Sequence, residues 1–301
     1  MRGLIAPETP KLAIYNVREF RSRPLLHPVL KLMRLVLLIL ALVSAVHSQK
    51  VTYTLVSRST VLGRLEPAPA TLEQRKERLH ELFRDAGCHP EAIRGQPVPG
   101  LGAGNIMCRL AGTTDQLIIV GASYAPGNPD NWSAAVLLPS IFQALAPHKR
   151  DHTILFVAFA DEQRKLAGSK LFVTSMSSAD IQRIDAMVDL DALGLSPPKV
   201  STKKSDPQLI KDLFIMAYAL KLTASQVDVA DTFREDADSF AERKVPSITI
   251  HSFPLSRASE SRGRQLLVPQ LFHPDLYYKS YYLISGYVAF LDQRLKARHA
   301  P

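Results

Sequence analysis

The residues best placed to do chemistry are carboxyl groups that follow apolar runs. Asp161 and Glu162, with Gln163 behind them, close the run Thr153–Phe159. Asp191 closes Ala186–Leu190. Asp130 follows Gln116–Gly121 across a Pro/Gly/Asn stretch, Tyr124–Asn131. Converging carboxylates can hold a divalent cation or move a proton. The same side chains also suit plainer work. Asp161 and Glu162 fit a helix first turn, where the dipole favours acids. Asp130 fits a helix cap and Asp191 a turn before Gly194. For Asp161 and Glu162, position alone favours the plainer work.

The elements that must position these groups follow from the pattern. Leu117–Val120 and Thr153–Phe159 are short, continuous apolar runs, which predict strands buried on both faces. Such strands belong to parallel sheets flanked by helices. Ligands of such sheets bind beyond the carboxyl ends of the strands. Further strands are expected at Ile106–Leu110, Ala186–Leu190 and Val245–His251, with Pro246 near the start of the last. Helices are expected at Thr71–Ala86, Ser133–Leu145, Arg164–Met176, Ala179–Ile184, Pro207–Leu220 and Asp275–Leu291. Residues 51–70 read as extended, Val227–Phe240 as an acidic loop and 252–272 as irregular. Strands and helices alternate without repeat or internal linker. This predicts one α/β domain over residues 67–296, preceded by an extended leader over 49–66. Three acid-bearing strand ends in one sheet can share one crevice.

Four stretches together resemble a known family. They are Val120-Gly-Ala-Ser-Tyr124, Asp130-Asn-Trp-Ser-Ala134, Phe159-Ala-Asp-Glu-Gln-Arg-Lys-Leu-Ala-Gly-Ser169 and Leu190-Asp-Ala-Leu-Gly194. In order and spacing they resemble the zinc aminopeptidases of leucyl-aminopeptidase and aminopeptidase-Y type, which are two-zinc exopeptidases. The likeness runs from about Thr71 to Asp292. It implies a single zinc-exopeptidase-like domain with a central mixed, mostly parallel sheet and helices on both faces.

The resemblance also implies a site, and here the chain departs from its pattern. Asp130 takes the position of the bridging aspartate and Asp191 that of a later ligand aspartate. Glu162 takes the general-base position. Ser123 stands where the family has its first ligand histidine, and Ala125 where it has the aspartate that orients it. Gln163 stands where the family has a ligand glutamate. The last ligand, a histidine, is missing from Arg257–Phe272; His251 lies earlier and His273 later. Three of five ligands are thus replaced. Zinc prefers nitrogen and sulfur donors, with three protein ligands at a catalytic site. Water without a metal keeps its pKa far above neutral, where a metal would bring it to about 7, so it is a poor nucleophile at neutral pH. The expectation is an impaired or inactive peptidase-like protein holding no metal, or one weakly bound divalent cation on Asp130 and Asp191. The alternative is an active metal-dependent aminopeptidase whose site is rebuilt with His251 or His273. A peptide or peptide-like ligand fits either.

Charge and leader add context. The chain of 301 residues carries +9, yet residues 1–48 hold seven Lys/Arg against two Asp/Glu. The remainder, 30 basic against 26 acidic, has no basic stripe of the kind nucleic acid requires. Leu35–Val46 is apolar, follows Lys31 and Arg34, and ends in small residues. That pattern predicts a signal peptide over residues 33–48, with 1–32 a basic tail or an extension of the reading frame, and export to a periplasmic or secreted location. The alternative is a membrane anchor over residues 35–46, although a span needs about 20 residues. Export makes Cys88 and Cys108 a candidate disulfide; two buried free thiols are the other reading. Asn131-Trp132-Ser133 matches a glycosylation sequon, and Trp132 reads as core or pocket wall. Ser123 lacks the flanking glycine of a nucleophile elbow.

Overall fold

A computed structural model describes residues 11–17, 49–66, 68–125, 129–161, 166–227, 234–253 and 272–296. The expected signal peptide, Glu162, Gln163 and nearly all of the irregular 252–272 stretch lie outside the described residues. So does the side chain of Asp130.

The elements run in order β1 (Lys11–Val17), β2 (Gln49–Leu55), α1 (Arg58–Gly63), α2 (Leu72–Asp85), β3 (Ile93–Pro97), β4 (Gly104–Leu110) and β5 (Leu117–Ser123). Next come α3 (Pro129–Ala135), α4 (Leu137–Leu145), β6 (Thr153–Phe159), α5 (Ala167–Thr174), α6 (Ser178–Gln182) and β7 (Ile184–Asp191). The chain closes with β8 (Lys199–Ser201), α7 (Pro207–Leu220), β9 (Ser225–Val227), α8 (Asp236–Ala241), β10 (Ser247–His251) and α9 (Pro274–Lys296). The main sheet has eight strands in the order β3-β4-β6-β5-β7-β10-β8-β9. Strands β5, β6, β7 and β10 are mutually parallel. β4 runs against β6, and β8 against β10. The single α/β domain with a mixed sheet is therefore as the sequence implied.

Alternation along the central strands fills two cores. Ile118, Val120, Phe156, Val188 and Ile250 face the larger one, with residues of α2, α4, α7 and α9. Ile119, Val157, Phe159 and Met187 face the smaller one, with Phe172 and Val173 of α5 and Phe240 of α8. Both faces being buried is why these strands read as unbroken apolar runs.

Several local expectations need correction. The predicted helix over 133–145 is two helices, α3 and α4, parted at Val136. Pro139 has no N–H to give the Ala135 carbonyl and its ring crowds that carbonyl, so the helix cannot continue through. Residues 51–70 are not merely extended: α1 forms where the Ser57 hydroxyl accepts from Thr60 N at 3.1 Å, and Val51 and Tyr53 are fully buried. The end of the acidic 227–240 stretch is helical (α8), its Glu235 N–H donating to Asp238 at 3.1 Å. The 71–86 helix has the capping box its sequence announces, with Thr71 and Gln74 capping each other. Cys88 and Cys108 are joined as a disulfide, Cα atoms 6.5 Å apart, which ties the end of α2 to β4.

Asn105 and Gly168 pin the β6–α5 junction. Asn105 Oδ1 accepts from Ala160 N at 2.9 Å, and Asn105 Nδ2 donates to Gly168 O at 2.9 Å. A Cβ on Gly168 would overlap Ala160 O and Asn105 Oδ1 and come to 2.8 Å from Ala160 N. Backbone on one side leaves nothing to yield. Gly168→Ala is expected to lower stability by about 2–4 kcal/mol through overpacking and loss of the Asn105 clamp. Urea denaturation checks this, and a cost under about 1 kcal/mol would contradict the clamp.

Candidate functional site

The carboxyl ends of β5, β6 and β7 lie flush, with Ser123 opposite Phe159 and Ala122 opposite Leu190. A cavity of about 20 Å³ opens there. Ser123, Asp161 and Asp191 line it from the strand ends, Asn131 from α3, and Glu235 and Asp236 from the start of α8. The three strand ends that the sequence set side by side do converge. Two non-glycine residues at this edge, Leu166 and Ala192, hold positive φ, at 60° and 49°. Such backbone persists only where surroundings enforce it, and it clusters at functional sites.

Each residue sits there for a local reason. Asp161 is buried, and its Oδ1 accepts from Ala167 N at 3.2 Å, capping α5. Ser123 is half-buried, and its hydroxyl accepts from Ala125 N at 3.4 Å. Arg75 of α2 donates to the carbonyls of Tyr124 and Ala125 and lies 5.3 Å over the Trp132 ring. The indole Nε1 donates to Leu65 O at 3.0 Å, so Trp132 is a buried anchor. Asn131 is 4% exposed, which places its sequon out of reach of a glycosylating enzyme in the folded chain. Ser133 fixes the turn after β7: its hydroxyl accepts from Leu193 N at 3.1 Å, and its carbonyl accepts from Tyr277 Oη at 2.7 Å.

β7 brings a carboxylate that sequence reasoning missed. Asp189 lies two residues before Asp191, on the same face of the strand. Its Oδ2 accepts from Ala237 N at 3.2 Å and Thr249 Oγ1 at 3.3 Å. Burial, reinforced by Asp236, Glu235 and Asp191, pushes the Asp189 carboxyl well above the usual range. Burial likewise pushes Glu235 up to about 7; the Lys204 charge opposes this and Asp191 adds to it. Both acids favour the protonated form because the site gathers negative charge out of water.

The two histidines held open by the sequence occupy different places. His251 ends β10 directly beside Asp191 in the parallel register. It is 1% exposed, its Nδ1 accepts from Phe253 N at 3.3 Å, and its ring lies 5.4 Å from that of Phe253. Accepting at Nδ1 leaves the proton of the neutral ring on Nε2. His273 starts α9: its carbonyl accepts from Tyr277 N at 3.0 Å and its N–H donates to Gly194 O at 2.8 Å. Among the described residues, no group of three or more His, Cys, Asp or Glu side chains is arranged to hold a metal ion.

Comparison with known proteins places this geometry. Residues 105–278 match the model of peptidase family M28. No curated protein matches the chain by sequence. A zinc aminopeptidase from Bacillus subtilis shares the fold at 18% identity and a TM-score of 0.55, over 62% of this chain and 49% of that one. The chain thus spans about half the length of that enzyme. The LapA aminopeptidase of Legionella pneumophila shares it at 13% identity and 0.62, over 78% and 70%. A glutaminyl cyclase from an Acidobacteriales bacterium shares it at 14% identity and 0.62, over 79% of this chain and 94% of that one.

Proposed function

The chain belongs to peptidase family M28, and from that premise we propose that it is an exported member of the family impaired in two-zinc peptide hydrolysis, which binds a peptide or peptide-like ligand at the carboxyl edge of its sheet. The observation that carries this reading is the donor set. Around the cavity the described donors are carboxylate, hydroxyl and amide oxygens. Ser123 supplies a hydroxyl where the resemblance places an imidazole, and Gln163 an amide where it places a carboxylate. Zinc favours nitrogen and sulfur, so these residues do not fit a two-zinc centre. An oxygen-rich set with Asp130 and Asp191 is closer to what a hard cation takes. Glu162 keeps the position of a general base, with no activated water to serve.

Export rests on the leader: Lys31 and Arg34, the apolar run 35–46 and the small residues after it. The Cys88–Cys108 bridge agrees with an oxidising compartment. Among the described residues no helix is long and apolar enough to cross a membrane.

A second reading has its own support. The chain spans 94% of the Acidobacteriales glutaminyl cyclase, and His251 lies in register with Asp191. These favour an active enzyme of compact size with a rebuilt site, of aminopeptidase or glutaminyl-cyclase type. Amino-acid p-nitroanilides and N-terminal glutaminyl peptides, each assayed with and without added zinc, separate the two. The first reading predicts no turnover above that of Glu162→Gln. Zinc-dependent turnover that Glu162→Gln abolishes would establish the second.

A further inference from the structure

Beside the carboxylate cavity, outside its lining, a lysine and a serine face each other. Asp191, His251 and Lys199 form one row across β7, β10 and β8, each in register with the next. At the usual strand spacing Lys199 stands roughly 10 Å from Asp191 along that row. Lys199 is 6% exposed. Its Nζ donates to Ser196 Oγ, its one polar partner among the described residues. A lysine this deep is ordinarily paired with a carboxylate. None of the ion pairs among the described residues includes Lys199. Burial lowers its pKa from the ordinary lysine value.

The serine is held in place from several sides. Ser196 is half-buried. At rest its Oγ donates to Ser252 O at 2.8 Å, with Pro197 O at 3.2 Å as a second acceptor. Ser252 fixes the approach in turn: its Oγ accepts from Leu195 N at 2.9 Å and donates to Ala192 O. Between the two residues stand Pro197 and Pro198, whose rings fix φ and limit the drift of serine from lysine. The result is a Ser-x-x-Lys pair with the lysine amine on the serine oxygen. Serine–lysine pairs of this kind act as nucleophile and base in acyl transfer. The setting differs from the helical form of that motif: here a proline-stiffened loop leads into a strand.

We propose that Ser196 and Lys199 form a metal-independent acyl-transfer site that takes small carboxylic esters. Ser196 Oγ attacks the ester carbonyl as its proton swings from Ser252 O to Lys199 Nζ, which must be unprotonated for this step. The bond from carbonyl carbon to alcohol oxygen breaks, and the alcohol leaves with the proton from Lys199. Water, deprotonated by the same amine, then attacks the acyl carbon; the bond to Ser196 Oγ breaks, Oγ takes the proton back from Lys199, and the free acid leaves. No oxidant, reductant or metal enters.

The test uses the full chain treated with EDTA. A fluorophosphonate probe forms a serine oxygen–phosphorus bond and expels fluoride, and tandem mass spectrometry maps the label. The expected result is label on Ser196 and hydrolysis of p-nitrophenyl acetate. Ser196→Ala should abolish both. Lys199→Ala should slow both by on the order of 10²-fold or more. Methylamine should restore hydrolysis by Lys199→Ala, which a merely structural lysine would not allow. Absence of label on Ser196 of the unaltered protein overturns the proposal, however the variants fold. So does label on Ser196 that a folded Lys199→Ala leaves undiminished, or a folded Lys199→Ala that methylamine fails to rescue.

Discussion

Replacing Asp292 by alanine is expected to destabilise the protein by about 3–5 kcal/mol near pH 6.5 and by clearly less near pH 9.5. His152 is buried between two carboxylates, with Nε2 at 3.1 Å from Asp185 and Nδ1 at 3.0 Å from Asp292. Asp292 also accepts from the backbone N–H of Asp151 and His152. Burial by itself lowers the His152 pKa. The hydrogen bonds and charges of Asp185 and Asp292 outweigh it and raise the value to about 9. In the unfolded chain the value is about 6.5. Below pH 6.5 both states hold the proton and the full contribution is present. As pH rises towards 9 the unfolded chain has released a proton that the folded one keeps, and stability falls. The window corresponds to about 3 kcal/mol. Urea midpoints at pH 6.5, 8 and 9.5 measure it. In Asp292→Ala the slope should flatten, since Asp185 alone holds the imidazolium. An unchanged slope would show that the ion triad is not the cause.

The opposite end of the sheet should give the second large effect. Glu235→Gln is expected to stabilise the protein by up to about 3 kcal/mol at pH 8 and to change little at pH 4. Glu235 is raised to about 7 from an ordinary value of 4.5. Between those values the folded state holds a proton that the unfolded chain has lost. Stability therefore falls as pH rises through the window and stays low above it. A neutral amide at this position removes the cost. Asp189 is raised by the same causes, so the variant keeps part of the slope. Melting temperatures at pH 4, 6 and 8 are the readout, and a loss of stability at pH 8 would mean that Glu235 is needed as an anion. A site destabilised by its own acids is the usual cost of function.

How much of this was legible in sequence follows from the range over which each feature is determined. β5, β6 and β7 could be read because burial on both faces leaves a local signature, an apolar run with an abrupt polar end. The helix Pro207–Leu220 was bounded correctly, since its proline start and apolar periodicity lie within the element itself. β8 and β9 have three residues each. That is too few for any period to show, and only their neighbours make them strands. Pro139 carried a local warning against one continuous helix. The convergence of Ser123, Asp161 and Asp191 followed from three parallel strand ends. Asp189 could have been found by counting two residues back from Asp191. Glu235 and Asp236 read as part of an acidic loop, because nothing local shows that the start of α8 sets them against the carboxyl ends of the strands. His152 heads the most informative run in the chain, yet its partner Asp292 lies 140 residues away.

The central claim, that the strand-end site no longer supports a two-zinc centre, is tested most directly by metal stoichiometry. The full chain is incubated with excess zinc, exchanged into volatile buffer and weighed by native mass spectrometry beside Asp191→Asn. The account predicts fewer than one zinc retained per chain, with no difference between the two proteins. Two zinc ions per chain, lost in Asp191→Asn, would contradict it.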